Sequence, residues 1–417
     1  MCNQCDKSGA WFSTRDDRVQ PESGWGSAIH LRLQRYERPD GSGSRSHGAV
    51  LLLHGGSANH RTFSRSGGLA DWLLEEGFDP WLFDWRGSSL VSDCPENSKT
   101  LRQESTLYNF NRAATEDVPA AIAIMRGEPY SVAGPIALAG HCMGAAVIAE
   151  AVARGGRTAA EVDRIVLLAL GLFYEAAIDS RVKSEERILE RLARNTATTP
   201  CIDPRDGNSW PGDLNTLYEA WPGGLRAHDE ADKSASGTPK TVRVVDDLCN
   251  RISFMYGMPY RHDNLAVGIH EGPDDKTPPE LPDHFGGFPL QMYLHAARNL
   301  REGEATLFDS KVPHIPWDTA RGRFLDLTRV TLITGESNRL WHRDSIDRMH
   351  EWLCRGDSTA LRRITKHVLP NYAHQDLLWG PKSREDVFPK IREGLGRHID
   401  PSGGATAPRD PIPTSAL

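Results

Sequence analysis

The chain of 417 residues has 39% hydrophobic residues and a formal net charge of -7, from 49 basic and 56 acidic side chains. This hydrophobic fraction is enough for a large core, and the lack of a basic excess argues against a nucleic-acid partner. No apolar run is long enough to span a membrane, and the first residues lack the apolar core of a signal peptide. The seven cysteines are scattered, as free thiols are in a reducing compartment. We therefore expect a cytoplasmic protein without a membrane span.

The first half of the chain predicts strands alternating with helices. After an irregular lead-in over residues 1–24, the alternating pattern Ser27–Glu37 predicts a half-buried strand at the edge of a sheet. The apolar run Ala49–Leu53 predicts a buried strand, a helix follows over Gly68–Glu76, and Asp79–Trp85 predicts the next strand. The loop after Leu53 reads His54, Gly55, Gly56, Ser57.

The most informative stretch is GPIALAGHCMGAAVIAE, residues 134–150. Pro135–Ala139 predicts a buried strand and Gly144–Ala151 a helix of small residues, with the sequence Gly140, His141, Cys142, Met143, Gly144 between them. This is the nucleophile-elbow pattern, in which a sharp strand-to-helix turn exposes its central side chain and tolerates only small flanking residues. The alternative is that Cys142 is a small buried hydrophobe in a tight turn.

An elbow would place Cys142 at a helix N-terminus, where the backbone dipole favours a thiolate over a thiol. The sequence therefore predicts a reactive thiolate nucleophile at this position.

Buried strands alternating with helices, continued by Arg164–Leu170, predict a doubly wound α/β fold with a mostly parallel sheet covered on both faces. The alternation stops between residues 172 and 326, which we interpret as a cap inserted into a core made of residues 25–171 and 327–400. Residues 401–417 predict a flexible tail. The cap contains helix candidates and aromatic residues that could line an apolar substrate pocket. The helix candidates are Ser184–Asn195, Val244–Phe254 and Leu290–Arg301, and the aromatic residues are Trp210, Trp221, Tyr256, Tyr260 and Phe288.

The alternation resumes with the strand Arg329–Thr334, the helix Asp344–Cys354, the strand Thr365–Pro370 and the helix Arg384–Leu395. The polar loop that follows the first of these strands contains Glu336 and Asn338, and His374 follows the last strand. His374 is therefore the candidate general base, and the alternative is a histidine in a surface loop.

Several motifs resemble a known group of proteins. The segments NYAHQDLLWG and DVFPKI look like the catalytic-histidine region of acid lipases and of the α/β-hydrolase-like domains attached to bacterial cholesterol-oxidase-like flavoproteins. GHCMGA, FDWRGSS and GESN are similar to the second group, and the resemblance covers roughly residues 27–398 in outline. No GxGxxG opens a βα unit, so no flavin domain is expected.

The resemblance implies an α/β-hydrolase fold with the chain order nucleophile, acid, histidine. It implies an oxyanion hole formed by the backbone N–H of Met143 and that of Gly56 or Ser57. His54, Gly55 and His141 would lie beside the substrate, together with Tyr256 and Tyr260 from the cap.

The third catalytic residue departs from the pattern, because Asn338 stands where these hydrolases usually have Asp. A cysteine and histidine pair needs an orienting group more than a compensating charge, so Asn338 is the first candidate. Glu336 is the second and Glu175 the third. We expect Asp376 to fix the loop near His374 rather than to take part in the chemistry.

These residues predict covalent acyl transfer by Cys142 to hydrolyse an ester, lactone or thioester. Two alternatives stay open: an acyltransferase or cyclase that uses the same acyl-enzyme, and a binding protein without activity, suggested by the missing Asp. The expected partner is a small acyl substrate, either free or carried by coenzyme A or a carrier protein. Neither a metal nor an organic cofactor is expected, and a homo-oligomer is compatible with the sequence.

Overall fold

The computed structural model describes residues 10–13, 29–37, 45, 47–188, 190–191, 200–206, 216, 251–252, 254–255, 281–308, 315–356 and 360–396. Several predictions lie outside these described residues. They are Tyr256, Tyr260, Trp210, Trp221, most of the predicted helix Val244–Phe254 and the tail 401–417.

The described residues build an eight-stranded sheet with the order β1-β2-β4-β3-β5-β6-β9-β10. Strands β4, β3, β5, β6, β9 and β10 are parallel, and β2 and β1 join antiparallel at one side. The predicted doubly wound, mostly parallel sheet is therefore confirmed. The strands are β1 (Ala10–Ser13), β2 (His30–Arg35), β3 (Ala49–Leu53), β4 (Asp79–Asp84), β5 (Ile136–His141), β6 (Val162–Leu168), β9 (Arg329–Gly335) and β10 (Ile364–Leu369), with β7 (Cys201–Ile202) and β8 (Phe288–Pro289) in a separate pair.

Helices cover both faces of the sheet. One face carries α6, α7, α12 and α13 over one hydrophobic cluster, and the other carries α2, α14 and α16 over a second cluster. None of the helices in the described ranges is long and apolar enough to cross a membrane. The helices are α1 (Arg61–Ser64), α2 (Leu69–Glu75), α3 (Ser89–Asp93), α4 (Pro95–Gln103), α5 (Phe110–Arg112), α6 (Val118–Arg126), α7 (Met143–Arg154), α8 (Gly156–Glu161), α9 (Ile178–Glu185), α10 (Leu281–His284), α11 (Leu290–Glu302), α12 (Trp317–Asp326), α13 (Asp344–Cys354), α14 (Asp376–Trp379), α15 (Ser383–Asp386) and α16 (Phe388–Leu395).

The predicted element bounds agree best where the apolar pattern is continuous. Strand β3 and helix α13 have the predicted limits, and α11 differs from its prediction by one residue. Three predictions were wrong in detail. Strand β1 forms inside the segment predicted as an irregular lead-in, so β2 is not the edge strand. The predicted helix Ser184–Asn195 is interrupted, because α9 ends at Glu185 and the chain is helical again at residues 188 and 190–191. The last predicted helix is split into α15 and α16.

The sheet brings the predicted site residues to one edge. In parallel strands the carboxyl ends meet at the same edge, and ligands of open α/β sheets bind there. The loops that follow β3, β5, β9 and β10 carry the HGG segment, Cys142, Asn338 and His374 in that order along the edge.

Candidate active site

Cys142 lies in a strained turn between β5 and α7, with φ of 57° and ψ of -127°. Non-glycine residues rarely adopt a positive φ, and such strain is found mainly where a function requires it. A Cβ added at Gly140 would lie 2.7 Å from the backbone nitrogen of Ala145, and one at Gly144 would lie 2.4 Å from the carbonyl oxygen of His54. The turn therefore requires glycine on both sides of Cys142, as the elbow pattern predicts.

The Cys142 thiol is buried, and its residue is 8% exposed. Burial raises its pKa to about 11, although the indole of Trp341 and the backbone N–H groups of Met143 and Gly56 partly oppose this by favouring the thiolate. The resting group at neutral pH is thus a thiol. The predicted resting thiolate was wrong, because the loss of hydration outweighs the helix dipole.

The loop after β3 supplies one donor beside the sulfur, from Gly56. A Cβ at Gly55 would lie 3.1 Å from Cys142 Cβ, so this loop packs directly on Cys142. The Ser57 N–H donates to the Gly87 carbonyl at 3.0 Å, and its hydroxyl donates to the Gly286 carbonyl at 2.6 Å. Ser57 therefore has no free donor for an oxyanion, which leaves Gly56 as the candidate from this loop.

Beneath this loop lies a buried carboxylate, Asp84 at the end of β4. It accepts hydrogen bonds from the His60 backbone N–H at 2.9 Å and the Ser88 hydroxyl at 2.9 Å, and it pairs with Arg32 at 3.2 Å. Although burial alone would raise the pKa of Asp84, the imidazoles of His60 and His54 hold it well below its ordinary value. His54 is 0% exposed. Its ring faces Asp84 under the loop and does not line the cavity described below, and its contact with a substrate stays a prediction.

His374 is 2% exposed, so the alternative of a surface-loop histidine is excluded. The ring of His141 lies 4.6 Å from the His374 ring, centroid to centroid, and its Nε2–H donates to the His374 carbonyl at 3.0 Å. Burial lowers the pKa of His141 to about 4, and burial together with His141 lowers the pKa of His374 well below its ordinary value. Both imidazoles are thus neutral at neutral pH. In this conformation His141 holds the backbone of His374, and its predicted contact with a substrate stays a prediction.

The loops after β9 and β10 are locked together. A Cβ at Gly335 would lie 2.1 Å from the Tyr372 carbonyl oxygen, and that carbonyl accepts from the Ser337 N–H at 2.9 Å. Asp376 accepts from the Ala373 N–H at 2.8 Å. Asp376 fixes the loop next to the histidine, as the sequence predicts.

No described residue makes a hydrogen bond to His374 Nδ1. Neither His374 Nδ1 nor Asn338 Nδ2 has a hydrogen-bond partner among the described residues, so no bond joins these two buried side chains in this conformation. The Glu336 side chain is 55% exposed and lies 4.0 Å from Arg343. Glu175, the third candidate, lies 2.6 Å from Arg348 and also pairs with Arg181. In this conformation Glu336 and Glu175 lie beside arginines, which favours Asn338, and the identity of the third catalytic residue stays a prediction.

Asn338 has a different function in the resting loop. Its Oδ1 accepts the backbone N–H groups of Leu340 and Trp341, both at 3.2 Å. These bonds fix the two side chains that follow it against the cavity described below. The sequence analysis missed Leu340 and Trp341, although two large apolar residues in a loop at the ligand-binding edge were an available signal.

A mostly apolar cavity of about 110 Å³ opens onto Cys142. Its wall is made by the strand-end loops on one side and by residues from the predicted cap segment on the other. The lining residues are Gly56, Cys142, Met143, Ala176, Ser180, Lys183, Ser184, Ile188, Phe254, Met255, Phe288, Tyr293, Ala296, Ala297, Leu300, Leu340 and Trp341. Phe288 is the one aromatic residue of the predicted cap pocket that lies within the described part of the chain, and it lines this cavity.

The buried charges near the site outside this cavity are structural. Arg86 pairs with Asp117 at 2.9 Å and with Glu116 at 2.7 Å, which fixes the loop after β4 to the start of α6. Within the described ranges, no cluster of three or more His, Cys, Asp or Glu side chains could hold a metal ion.

Comparison with known proteins identifies the fold. Residues 44–220 match the family described as "Serine aminopeptidase, S33". An acetylester hydrolase from Corynebacterium glutamicum has a TM-score of 0.52 at 12% identity, covering 93% of this chain and 94% of its own. A lipase in its open form has a TM-score of 0.51 at 13% identity, covering 93% of this chain and 98% of its own. No curated protein matches the sequence.

The chain therefore has the α/β-hydrolase fold, as its motifs predicted. The matched family is named for a serine nucleophile, whereas this chain has Cys142 at the elbow. The narrower resemblance to domains attached to flavoproteins stays a prediction.

Proposed function

We propose that this protein is a cysteine-dependent hydrolase that cleaves an ester, lactone or thioester of an apolar acyl group through an acyl-enzyme. The proposal depends on Cys142, which is held in a strained turn, opens onto an apolar cavity and has the N–H groups of Met143 and Gly56 beside its sulfur. Fixed donors at the position where charge develops are the usual basis of catalysis in acyl transfer.

Catalysis begins from a neutral pair in this mechanism. The thiol with a pKa of about 11 and the neutral His374 do not form an ion pair at rest, so His374 removes the proton as the sulfur attacks the carbonyl carbon. The carbonyl oxygen becomes an oxyanion beside the N–H groups of Met143 and Gly56. The imidazolium then protonates the leaving group, and in the second half His374 takes a proton from the water that attacks the acyl-enzyme.

The Cys142 sulfur must move towards His374 before its proton can be transferred. At rest it lies beside the oxyanion donors, and no hydrogen bond joins it to a His374 nitrogen among the described residues. A substrate carbonyl that enters the oxyanion hole would displace the sulfur towards the histidine. Catalytic hydrogen bonds are often long or misaligned before substrate binds, so the resting geometry is compatible with this step.

The proposed substrate class rests on the apolar lining of the cavity and on the chemistry of a cysteine nucleophile. An apolar cavity favours an acyl group without charge along the part that it encloses. A thiolate is a good leaving group, so an esterase or thioesterase reaction is favoured over peptide cleavage. The names of the acetylester hydrolase and the lipase with the same fold agree with an ester substrate.

The test is intact-protein mass spectrometry after incubation with short and medium p-nitrophenyl esters and acyl thioesters. The wild type should gain one acyl group that is lost as product forms, Cys142→Ala should gain none, and Cys142→Ser keeps the elbow geometry as the matched control. The absence of an adduct on folded wild-type protein, with every activated ester and thioester, would contradict the proposal. It would instead favour a binding protein, a function suggested by the absence of a bond between Cys142 and His374.

An acyltransferase or cyclase is the second candidate. Apolar side chains from the segment predicted as a cap, among them Phe254, Met255 and Leu300, cover the cavity beside Cys142 and would limit the access of water to an acyl-enzyme. Added alcohol or amine should then accelerate the loss of the adduct and appear in the product. An unchanged rate would favour hydrolysis.

A further inference from the structure

Three N–H groups converge on one atom at the resting site. The Cys142 sulfur accepts hydrogen bonds from the backbone N–H groups of Met143 and Gly56 and from the indole Nε1–H of Trp341. Each donor therefore lies within one hydrogen-bond length of the same point. That point borders the apolar cavity, which these four residues line together. Two of the donors form the oxyanion hole of the proposed mechanism, so the indole belongs to the same cluster.

The three donors belong to different elements around this point. The Gly56 loop follows β3, Met143 begins α7, and Trp341 lies in the loop after β9, on the other side of β5 from β3. An oxyanion is bonded to one carbon and has three lone pairs, so it accepts up to three hydrogen bonds at once. Two of these bonds come from backbone N–H groups, and the indole is placed to supply the third.

The indole N–H has only a weak acceptor at rest. Trp341 is 7% exposed, and no nitrogen or oxygen atom of the described residues accepts from its Nε1–H. A thiol sulfur accepts hydrogen bonds weakly, whereas bonds to an ionised oxygen are shorter and about twice as strong as those between neutral groups. The bond from Trp341 therefore strengthens when a negative oxygen replaces the sulfur. An interaction that is stronger in the transition state than in the ground state raises kcat.

The indole is fixed before the reaction. The backbone N–H of Trp341 donates to Asn338 Oδ1 at 3.2 Å, and its backbone forms an isolated bridge with Ala176. Its ring stands edge-on to the buried ring of Tyr174, with 5.4 Å between the centroids. A donor that is already in place costs no reorganisation when charge develops on the oxygen. The Asn338 side chain thus positions the residue that carries this donor.

We propose that Trp341 is a catalytic residue whose indole N–H is the third donor of the oxyanion hole. In the acylation step the Cys142 sulfur bonds to the carbonyl carbon, the π electrons of the carbonyl move onto its oxygen, and His374 takes the thiol proton. The oxygen then lies where the sulfur was at rest and accepts from Trp341, Met143 and Gly56. The carbonyl re-forms as the leaving group departs with the proton from His374. This inference rests on the proposed function and adds a side-chain donor to the two backbone donors.

The test separates binding of a charged oxygen from binding of the chain that carries it. A trifluoromethyl ketone with a hexyl chain forms a reversible adduct, in which the Cys142 sulfur bonds to the carbonyl carbon and leaves an oxyanion in the hole. The matching trifluoromethyl carbinol has the same chain and forms no bond to sulfur. The inhibition constants of the ketone and of the carbinol are measured together with kcat/KM for p-nitrophenyl butyrate.

Two variants are compared with the wild type. Trp341→Phe keeps a ring against Tyr174 and removes the N–H. Trp352→Phe is the control, because Trp352 packs on Phe324 and does not line the cavity. Urea unfolding of both variants confirms that each is folded.

Trp341→Phe should weaken ketone binding and lower kcat/KM for the ester by about 10²-fold each, as expected when one oxyanion donor is removed. Its inhibition constant for the carbinol should change by less than about threefold, and Trp352→Phe should change all three values by less than about threefold. An equal loss for ketone and carbinol, an unchanged affinity for the ketone, or a faster reaction of Trp341→Phe with the ester would overturn this inference alone. A wild type that forms neither a ketone adduct nor an acyl-enzyme would overturn the proposed function itself.

A second measurement uses the unmodified protein and does not depend on the folding of a variant. Trp341 is the one tryptophan among the described residues that line the cavity. In protein with ¹⁵N-labelled tryptophan, the ketone should move one indole N–H proton signal downfield, because the bond to a negative oxygen is shorter than the bond to a thiol. The carbinol should leave that signal in place. Indole spectra that are identical with the two compounds would contradict a third donor.

Discussion

The loops on the two sides of strand β5 differ in how their polar groups are held. We call the β3 and β4 side the oxyanion flank and the β9 and β10 side the base flank, after their roles in the proposed mechanism. On the oxyanion flank the buried carboxylate of Asp84 gathers a backbone N–H, a hydroxyl, an arginine and two histidines beneath the HGG loop. On the base flank no carboxylate reaches His374, and His374 Nδ1 and Asn338 Nδ2 lack hydrogen-bond partners among the described residues, as do His54 Nε2 and Arg32 Nε around Asp84. The buried negative charge of this edge supports the donors, not the base.

The presence of a buried carboxylate on one flank only agrees with the different roles of the two flanks in the proposed mechanism. Oxyanion donors act by being fixed before the reaction, so a charged network that holds their loop is useful. A histidine that removes a proton from a thiol needs less help from a carboxylate than one that removes a proton from an alcohol, because the thiol is the stronger acid. The absence of Asp at position 338 is therefore less costly beside Cys142 than it would be beside a serine.

The largest expected effect is the loss of the base. His374→Ala should lower kcat/KM for acylation by about 10³-fold, in the range for general-base catalysis. The p-nitrophenol burst under single-turnover conditions measures this step. His350→Ala is the control, because His350 lies in α13 away from the cavity. A loss below tenfold would mean that the thiol is activated by another group.

Asp84→Asn removes the buried negative charge from the network under the HGG loop. The change leaves Arg32 buried without its counter-charge, so the free energy of unfolding should fall by about 3–5 kcal/mol. Glu175→Gln is the matched control: its pairs with Arg348 and Arg181 are partly exposed, and the expected loss is under about 1 kcal/mol. Urea unfolding measures both. Equal losses would show that Asp84 does not anchor the oxyanion flank.

Alkylation rates measure whether Cys142 rests as a thiol or as a thiolate paired with His374. Because the pKa of the Cys142 thiol is raised to about 11, its thiolate fraction grows with pH throughout the accessible range. Iodoacetamide should therefore react about 10²-fold faster at pH 9 than at pH 7. A Cys142→Ala protein gives the background from the other cysteines. A rate that is already maximal at pH 6 would indicate a thiolate–imidazolium pair instead.

The smallest effect is expected from giving the base flank a carboxylate. Asn338→Asp keeps the oxygen that accepts the N–H groups of Leu340 and Trp341 and adds a negative charge to a loop that is bonded to the loop of His374 through Ser337 and Tyr372. This charge should raise the pKa of His374 from its lowered value, so the acid limb of the kcat/KM profile should move to higher pH. At pH 8 we expect an increase of up to about tenfold in kcat/KM. An unmoved acid limb would place position 338 outside the catalytic group.

The sequence predicted the framework of this edge more fully than its side-chain contacts. Continuous apolar runs specify buried parallel strands. The sequence also predicts that only small residues fit on both sides of Cys142, and in the structure a side chain at Gly140 or Gly144 would collide with backbone atoms. The chain order alone brought His374 to the same edge. By contrast, the four residues of β1 are too few for a periodic signal, and they pair only because β2 is present.

The contacts that were missed depend on tertiary packing. Ser57 was a candidate donor until its N–H and hydroxyl were found bonded to Gly87 and Gly286, the latter distant in sequence. The predicted thiolate followed from the local helix dipole, whereas the desolvation that raises the pKa of Cys142 comes from the whole wall of the cavity. Trp341 belongs to no motif, and only the folded chain brings its indole to the Cys142 sulfur.

The backbone angle of Cys142 has an evolutionary consequence. Glycine adopts a positive φ without steric cost, so selection for stability alone would favour glycine at position 142 over any residue with a side chain. A cysteine at this position therefore carries a cost in stability that a glycine would not. One nucleotide change can produce serine from cysteine on the same backbone, but a serine at this position would also need the carboxylate that position 338 lacks.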